Sequence, residues 1–208
     1  MRLLLSRIFP VGTRSVLFGV HNPLWHGPTV WAGYYQLYGR DAFSLPVIAA
    51  CFLHDIGYFG KPNMDGPEGD EHPTLGANVM HYLFDDPYID HQWSGRWHDF
   101  TLYHSRHFAK KAGRPYSRLA VADKLAIALT PWWFYLPLAT LSGEIKGYMA
   151  MAKVQVRVGE AVNTSERAGL MSASKRIWFS GLQTYMRRWC EAHKDGGADT
   201  WTSDRKVA

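Results

Sequence analysis

Residues 51–60 read CFLHDIGYFG, and this stretch decides which fold the sequence is expected to adopt. Three apolar residues lead directly into His54 and Asp55, and the small residue Gly57 follows. An imidazole and a carboxylate are costly to bury unless they are paired or bound to a ligand. Their position at the end of an apolar segment therefore predicts a buried polar site, and the rest of the sequence indicates what that site holds.

The composition is typical of a globular protein with a single domain. The chain has 208 residues and a formal net charge of +5, which is long enough for one domain with a substantial core. The mild positive charge is compatible with an anionic substrate. Nothing in the charge pattern favours specific nucleic-acid binding, which is not expected.

The cysteines and the amino-terminal segment indicate a cytoplasmic protein. Two cysteines, Cys51 and Cys190, make no disulfide framework, and Cys51 lies in an apolar run that is expected to be core. A reducing cytosol fits this usage best. Arg7 interrupts the apolar start of the chain, so no signal peptide is expected.

Helical periodicity dominates the sequence and strand signals are weak, so the predicted fold is all-α. Residues 1–25 are expected to pack on the domain as an amino-terminal segment, residues 26–193 to form the helical domain, and residues 194–208 to be a disordered tail. The predicted helices cover residues 29–39, 41–55, 73–84, 88–105, 117–129, 138–153 and 166–193.

One uncharged stretch, residues 125–143, is long enough to raise the question of a membrane span. Pro131 and Pro137 lie inside it, and each would interrupt helical hydrogen bonding. We therefore predict two buried helical pieces joined by a proline-bounded aromatic turn. Membrane contact through Trp132 and Trp133 is the alternative and is not favoured.

Histidine and aspartate recur where the predicted helices begin or end. Six candidate metal ligands result, and they are His26, His54, Asp55, His72, His104 and Asp123. A helical bundle can direct such side chains from several helices towards one point. Imidazole and carboxylate donors without a thiolate suit Fe, Mn, Zn or Ni. The two oxygens of Asp55 can bridge two metals while the imidazole of His54 binds one, which would explain the adjacent pair.

These motifs resemble those of the HD-domain superfamily of metal-dependent phosphohydrolases. The segment FLHDIG (52–57) is similar to the His-Asp motif, HGPTV (26–30) to the first-His motif and AVADKLA (120–126) to the last-Asp motif. EHPTLGA (71–77) and YHSRH (103–107) resemble the two extra His motifs of the binuclear branches. The resemblance spans about residues 26–128 and implies an HD-type helical bundle with additional carboxy-terminal helices.

The resemblance also implies an activity and a cofactor. It implies a phosphohydrolase with a divalent metal site, expected to hold two ions at the six candidate ligands. The expected substrate is a phosphate ester of a nucleotide or a similar small phosphorylated metabolite, which a metal-activated water would attack. His21 is the alternative to His26 as the first ligand, and His107 is the alternative to His104.

Basic residues near the motifs are the candidates for contact with the substrate. Arg106, Lys61 and Arg114 are predicted to bind phosphate oxygens. Lys124, beside the last ligand, joins Asp55 as a candidate catalytic residue. Glu68 and Glu71 are candidates to orient a water or to hydrogen-bond His72.

The sequence departs from the cyclic-dinucleotide phosphodiesterase branch in two motifs. Tyr58 follows the HDIG segment where that branch often has a Lys soon after, and residues 113–117, GRPYS, replace its GYP motif. The substrate of that branch is therefore not expected to carry over.

Two other function classes are compatible with the same residues. Some HD-fold proteins use four His and two Asp ligands in a di-iron oxygenase site, and the six candidates supply that count. The other class is a non-catalytic binding module that a metal stabilises.

Overall fold

The computed structural model describes residues 9–86, 95–157 and 162–196. Within these ranges the chain forms helices joined by short turns and contains no strand, so the prediction of an all-α fold is confirmed. The predicted tail falls largely on residues 197–208, which lie outside the described part, as do residues 1–8 of the predicted amino-terminal segment.

Five helices lie in the described residues 9–86, before the gap at residues 87–94. They are α1 (Val11–Phe18), α2 (His26–Tyr38), α3 (Leu45–Leu53), α4 (Pro67–Asp70) and α5 (Pro73–Phe84). A proline lies in the first turn of α3, α4 and α5, where the missing amide hydrogen leaves no intrahelical bond unmade. Gly39, with a φ of 61°, follows the last residue of α2, and only glycine adopts this conformation readily.

Seven more helices lie in the described ranges 95–157 and 162–196. They are α6 (Arg96–Leu102), α7 (Arg106–Lys111), α8 (Arg118–Leu129), α9 (Trp132–Ser142), α10 (Ile145–Arg157), α11 (Thr164–Leu170) and α12 (Lys175–His193). The prediction for residues 117–129 matches α8, and that for residues 73–84 matches α5. Of the predicted helix 88–105, residues 88–94 lie outside the described part, and the observed helix is the shorter α6.

Helix α8 belongs to both hydrophobic cores of the protein. One core joins α8 to the amino-terminal helices through buried residues such as Val30, Met80 and Leu119. The other joins α8 to the carboxy-terminal helices through residues such as Leu125 and Trp178. Since α8 is buried on both sides, its residues are held in place from both halves of the molecule, and this includes the last-Asp motif.

The prediction of an aromatic turn between Pro131 and Pro137 is wrong. Pro131 is the residue before α9, and the aromatic residues form the first turns of that helix, which contains Pro137. A proline removes one amide donor, but packing of Tyr135 and Leu136 in the core keeps the segment helical. Trp132 and Trp133 remain 43% and 62% exposed.

Three predicted helices are divided in the structure. Gly143, in a left-handed conformation with a φ of 94°, ends α9 and splits the predicted helix 138–153. The predicted helix 41–55 consists of a 3-10 turn, Gly39–Phe43, and then α3. The predicted helix 166–193 is α11 and α12, and α11 begins earlier because the Asn163 side chain caps it in a reciprocal pair with Glu166.

In the described ranges, no single helix has the length and apolar composition needed to cross a membrane. Helices α8 and α9 meet that criterion only as a pair, and they are bent by 106° relative to each other.

Candidate metal centre

Four of the predicted ligands form a first ligand group, consisting of His26, His54, Asp55 and Asp123. Their ligand atoms all lie within 4.8 Å of one another. His26 Nε2 lies 3.2 Å from Asp55 Oδ2 and 3.1 Å from Asp123 Oδ1. His54 Nε2 lies 3.2 Å from the same Asp55 oxygen, so these atoms converge on one point.

A second ligand group consists of Asp55, His72 and His104. Here it is the other carboxylate oxygen, Asp55 Oδ1, that lies 3.3 Å from His72 Nε2 and 3.4 Å from His104 Nε2. Asp55 therefore belongs to both groups and gives one oxygen to each. This is the arrangement expected of a carboxylate that bridges two metal ions.

The ends of helices place these side chains together. His26 is the first residue of α2, His54 follows the last residue of α3, and His72 precedes α5. His104 lies just after α6, whereas Asp123 lies inside α8. Asp55, with a φ of −101° and a ψ of 0°, turns the chain out of α3 into a 3-10 turn. This turn lets the adjacent His54 and Asp55 side chains reach the same point.

Hydrogen bonds fix the rings of three ligand histidines. His54, His72 and His104 each have Nδ1 within 2.6–3.2 Å of a backbone carbonyl three or four residues earlier in the chain. Since a carbonyl only accepts, each Nδ1 carries a proton, and each Nε2 is the nitrogen left to bind a metal in the ligand groups. For His72 the acceptor is the carbonyl of Gly69, so neither Glu68 nor Glu71 is needed for this hydrogen bond.

The donor atoms fit a divalent metal. His54 and Asp55 are 1% and 6% exposed, and Nε2 of both His26 and His54 is buried without a hydrogen bond of normal geometry. Nε2 of His72 and Nε2 of His104 lie only 3.2 Å apart. Two lone pairs at this distance are stabilised by a cation between or beside them. Buried imidazole and carboxylate donors without a thiolate are those that Fe, Mn, Zn and Ni bind.

The charges of the ligand groups shift several pKa values in the metal-free protein. Burial alone would raise the pKa of Asp55, but the charge of His54 and the contacts with His104 and His26 hold it well below the usual range. Burial would lower the pKa of His54, but Asp55 and Asp123 outweigh this and raise it to about 10. Burial dominates at His104 and lowers its pKa to about 4.

The raised pKa of His54 predicts that the metal-free protein loses stability as the pH rises above 6.5. A histidine whose pKa is higher in the folded than in the unfolded state stabilises the folded state. This stabilisation is complete at a pH below the unfolded-state pKa, and it is lost as the pH rises through the folded-state pKa. For His54 this window runs from 6.5 to about 10. We expect the melting temperature with chelator to be at least about 4 °C lower at high pH than at the low end of this window.

Metal should reverse this trend, because metal ions and protons compete for the same ring nitrogen. The increase in melting temperature that Mn²⁺ causes should therefore grow with pH. The variant His54→Asn should have a shallower pH dependence than the wild type without metal. A metal-free melting temperature that is constant or rises over this window would contradict the assigned charges.

Two glycines allow α5 to begin against the end of α3. A Cβ on Gly57 would lie 1.9 Å from the carbonyl oxygen of His72, and a Cβ on Gly76 would lie 2.4 Å from that of Leu53. The ring of Tyr58 stacks on the ring of His72, with 3.8 Å between their centroids. Gly57 is therefore required for the His72 backbone to pack closely against the end of α3, and this packing positions the His72 side chain.

Sequence analysis missed a buried carboxylate that holds His21. Glu144 is 2% exposed and accepts hydrogen bonds from Ser15 Oγ at 2.7 Å and the Val20 amide at 3.1 Å. His21 Nδ1 lies 3.2 Å from Glu144, and His21 Nε2 lies 3.9 Å from Asp55 Oδ2. Burial lowers the pKa of His21, but Glu144 and the acids of the ligand groups raise it to about 9.

The alternative ligands lie outside the two ligand groups. His21 is beside the first group rather than in it, and His107 is exposed on α7, with its ring 5.7 Å from that of Phe108. No sequence signal marked Glu144, because an isolated acidic residue after a glycine is typical of an exposed turn.

The predicted basic residues lie elsewhere around the centre. Arg106 is buried, with its guanidinium 4.8 Å from the centre of the Trp189 ring, and Lys124 Nζ lies 5.8 Å from the same ring. Lys61 is partly buried in the loop after the 3-10 turn, and Arg114 is exposed. None of the four lines the pocket described next, and their assigned roles stay predictions.

A pocket of about 230 Å³ opens beside the first ligand group. His21, His26 and Asp123 contribute to its wall at this end. Aromatic side chains make up much of the remaining lining, and they include Trp25, Tyr58, Phe134, Tyr135 and Tyr148. A small molecule in this pocket would lie next to the candidate metal ligands.

No protein-family model matches the chain, and no curated protein or solved structure matches it. The helical fold with a His/Asp cluster able to bind metal is compatible with an HD-like domain. The likeness to that superfamily rests on this cluster and on the motifs quoted above.

Proposed function

We propose that this chain is a metal-dependent phosphohydrolase of the HD type, acting on the phosphate ester of a small molecule. The observation that carries the proposal is the position of Asp55, whose two oxygens face two different ligand groups. Two divalent ions held on one bridging carboxylate form the usual centre for hydrolytic displacement at phosphorus. We further propose that the protein works in a reducing cytosol, which suits its two buried, free cysteines.

The protein residues bind and orient the reacting groups. The histidines and aspartates of the two ligand groups would hold the ions, which would supply Lewis acidity and a water deprotonated near neutral pH. His21, held through Nδ1 by Glu144, would direct Nε2 towards an oxygen of the substrate. The buried surroundings of Asp55 exclude bulk water and strengthen each of these electrostatic contacts.

The net charge of the metal-loaded centre would favour an anionic reacting group. Two divalent ions carry four positive charges, whereas the ligand groups hold only two carboxylates, Asp55 and Asp123. The loaded centre would therefore be cationic and would attract phosphoryl oxygens even though no Lys or Arg is among the lining residues given by the structure.

The test is phosphate release from a panel of phosphomonoesters and phosphodiesters by protein loaded with Mn²⁺, Fe²⁺, Zn²⁺ or Ni²⁺. We expect turnover of at least one ester that needs added metal and stops with a chelator. Release that persists in a chelator, or no release from any ester by protein shown to contain metal, would contradict a phosphohydrolase.

A di-iron oxygenase is the second candidate, and one observation favours it. The two ligand groups contain four histidines and two aspartates, and the adjoining pocket is lined mainly by apolar and aromatic residues, which suits an organic substrate that reacts with O₂. Oxygen uptake by the iron-loaded protein, dependent on an organic substrate, would support this function. Turnover of a phosphate ester by the Mn²⁺-loaded protein without oxygen would exclude it as the main activity.

A further inference from the structure

We infer that the pocket beside the first ligand group binds the organic part of a phosphate monoester, and that this part is compact, apolar and uncharged. The inference rests on the proposed function, because it assumes that the phosphoryl group binds at the metal centre. It excludes nucleoside di- and triphosphates and cyclic dinucleotides as preferred substrates.

The charge of the pocket wall argues against a polyphosphate. Among the described lining residues there is no Lys or Arg, and the acids are Asp65, which is exposed, and Asp123. A second or third phosphate would have to leave water and lie near these acids, and the one lining side chain able to carry positive charge at the metal end, His21, is already paired with Glu144 at 3.2 Å. Burying an unpaired anion is strongly unfavourable.

The size and surface of the pocket favour a single ring or a short alkyl group. At about 230 Å³, the pocket is smaller than the roughly 300–1,000 Å³ of pockets for drug-sized ligands. Its aromatic walls are fixed by packing, since Tyr135 stacks on Phe179 at 4.3 Å and Trp25 meets Phe134 edge-on at 6.0 Å. Rigid aromatic walls contact flat or apolar groups well.

The polar and apolar parts of the lining indicate how the substrate would lie. His21, His26 and Asp123 mark the end next to the metal ligands. Met151, Ala152 and Leu182 contribute apolar surface from α10 and α12. A phosphoryl group at the metal end therefore leaves the organic group against these helices.

The test is equilibrium binding to the Mn²⁺-loaded protein, measured by calorimetry with two ligands that are not hydrolysed. Phenylphosphonate represents the proposed class, and α,β-methylene-ADP represents a polyphosphate. We expect phenylphosphonate to bind at least about tenfold more tightly, because the apolar ring is buried and no extra phosphate is desolvated. Equal or tighter binding of the nucleotide analogue would overturn the inference.

A pair of lysine variants tests whether the pocket wall causes this preference. Met151→Lys places a cation in the lining of α10, and Val154→Lys places one at a position of the same helix that is 53% exposed and outside the lining. Met151→Lys should reduce the ratio of the affinity for phenylphosphonate to that for α,β-methylene-ADP at least about fivefold. Val154→Lys should leave this ratio unchanged. Equal effects of the two variants would overturn the assignment.

If Met151→Lys does not fold, a second pair of lysine variants on α9 provides the same test. Leu138 belongs to the lining, whereas Leu141 is 41% exposed and does not, so Leu138→Lys and Leu141→Lys repeat the comparison. Hydrolysis of phenyl phosphate, measured separately, distinguishes the two proposals. The expected binding preference without hydrolysis of any ester supports the pocket assignment and overturns the phosphohydrolase.

Discussion

The variant Asp55→Asn is expected to bind neither metal ion and to lose at least about 100-fold in phosphate-ester hydrolysis. Asp55 is the residue shared by both ligand groups, with Oδ2 near His26 and His54 and Oδ1 near His72. Asparagine keeps the shape of the side chain but removes its charge and one of its two acceptor oxygens. Metal content by elemental analysis and phosphate release by the same protein sample measure the two effects.

The matched control is Asp41→Asn, since Asp41 is on the surface and pairs with Arg118 at 3.1 Å. This control should keep the wild-type metal content and activity. Thermal unfolding should show that both variants are folded. An Asp55→Asn variant that keeps its full metal content would show that Asp55 does not bridge the two ligand groups.

The variant Gly57→Ala is expected to destabilise the protein by roughly 3 kcal/mol or more. The added Cβ would lie 1.9 Å from the carbonyl oxygen of His72, so α5 must move away from α3. That movement would displace a candidate metal ligand, and metal binding should weaken together with stability. Denaturant unfolding with and without Mn²⁺ measures both effects.

The control for this variant is Gly147→Ala in α10. A Cβ at Gly147 would meet no atom within 4 Å, so alanine should stabilise the helix by about 0.5–1 kcal/mol. Both substitutions add one Cβ atom, which meets a packed backbone at residue 57 and open space at residue 147. Wild-type stability and metal affinity in Gly57→Ala would contradict the close packing of the HDIG segment against His72.

The sequence singled out the residues that the structure brings into one cluster, because they stand at helix ends or in a distinctive motif. His26, His72 and the His54-Asp55 pair lie where polar residues interrupt apolar periodicity. The structure brings these residues together with His104 and Asp123. His21 and His107 remained alternatives to His26 and His104 at the sequence level. The orientation of the helices decides which histidine of each pair belongs to the ligand groups, and periodicity does not give that orientation.

The features that the sequence did not predict depend on tertiary packing. The aromatic segment after Pro131 was expected to be a turn, but burial of Tyr135 in the core keeps it helical. Glu144 could not be predicted to be buried, because two of the groups that donate hydrogen bonds to it, Ser15 Oγ and the Val20 amide, are far away in the sequence. The pocket is also assembled from distant helices, so only the structure revealed its largely apolar and aromatic wall.

The central claim is that two metal ions share Asp55, and metal content per chain tests it most directly. The protein should be purified without chelator or air, loaded with Mn²⁺ or Fe²⁺, and measured by elemental analysis. We expect about two ions per chain in the wild type and about one in His72→Ala and in His104→Ala. About one ion in the wild type, or about two ions in each variant, would contradict a centre of two ions bridged by Asp55.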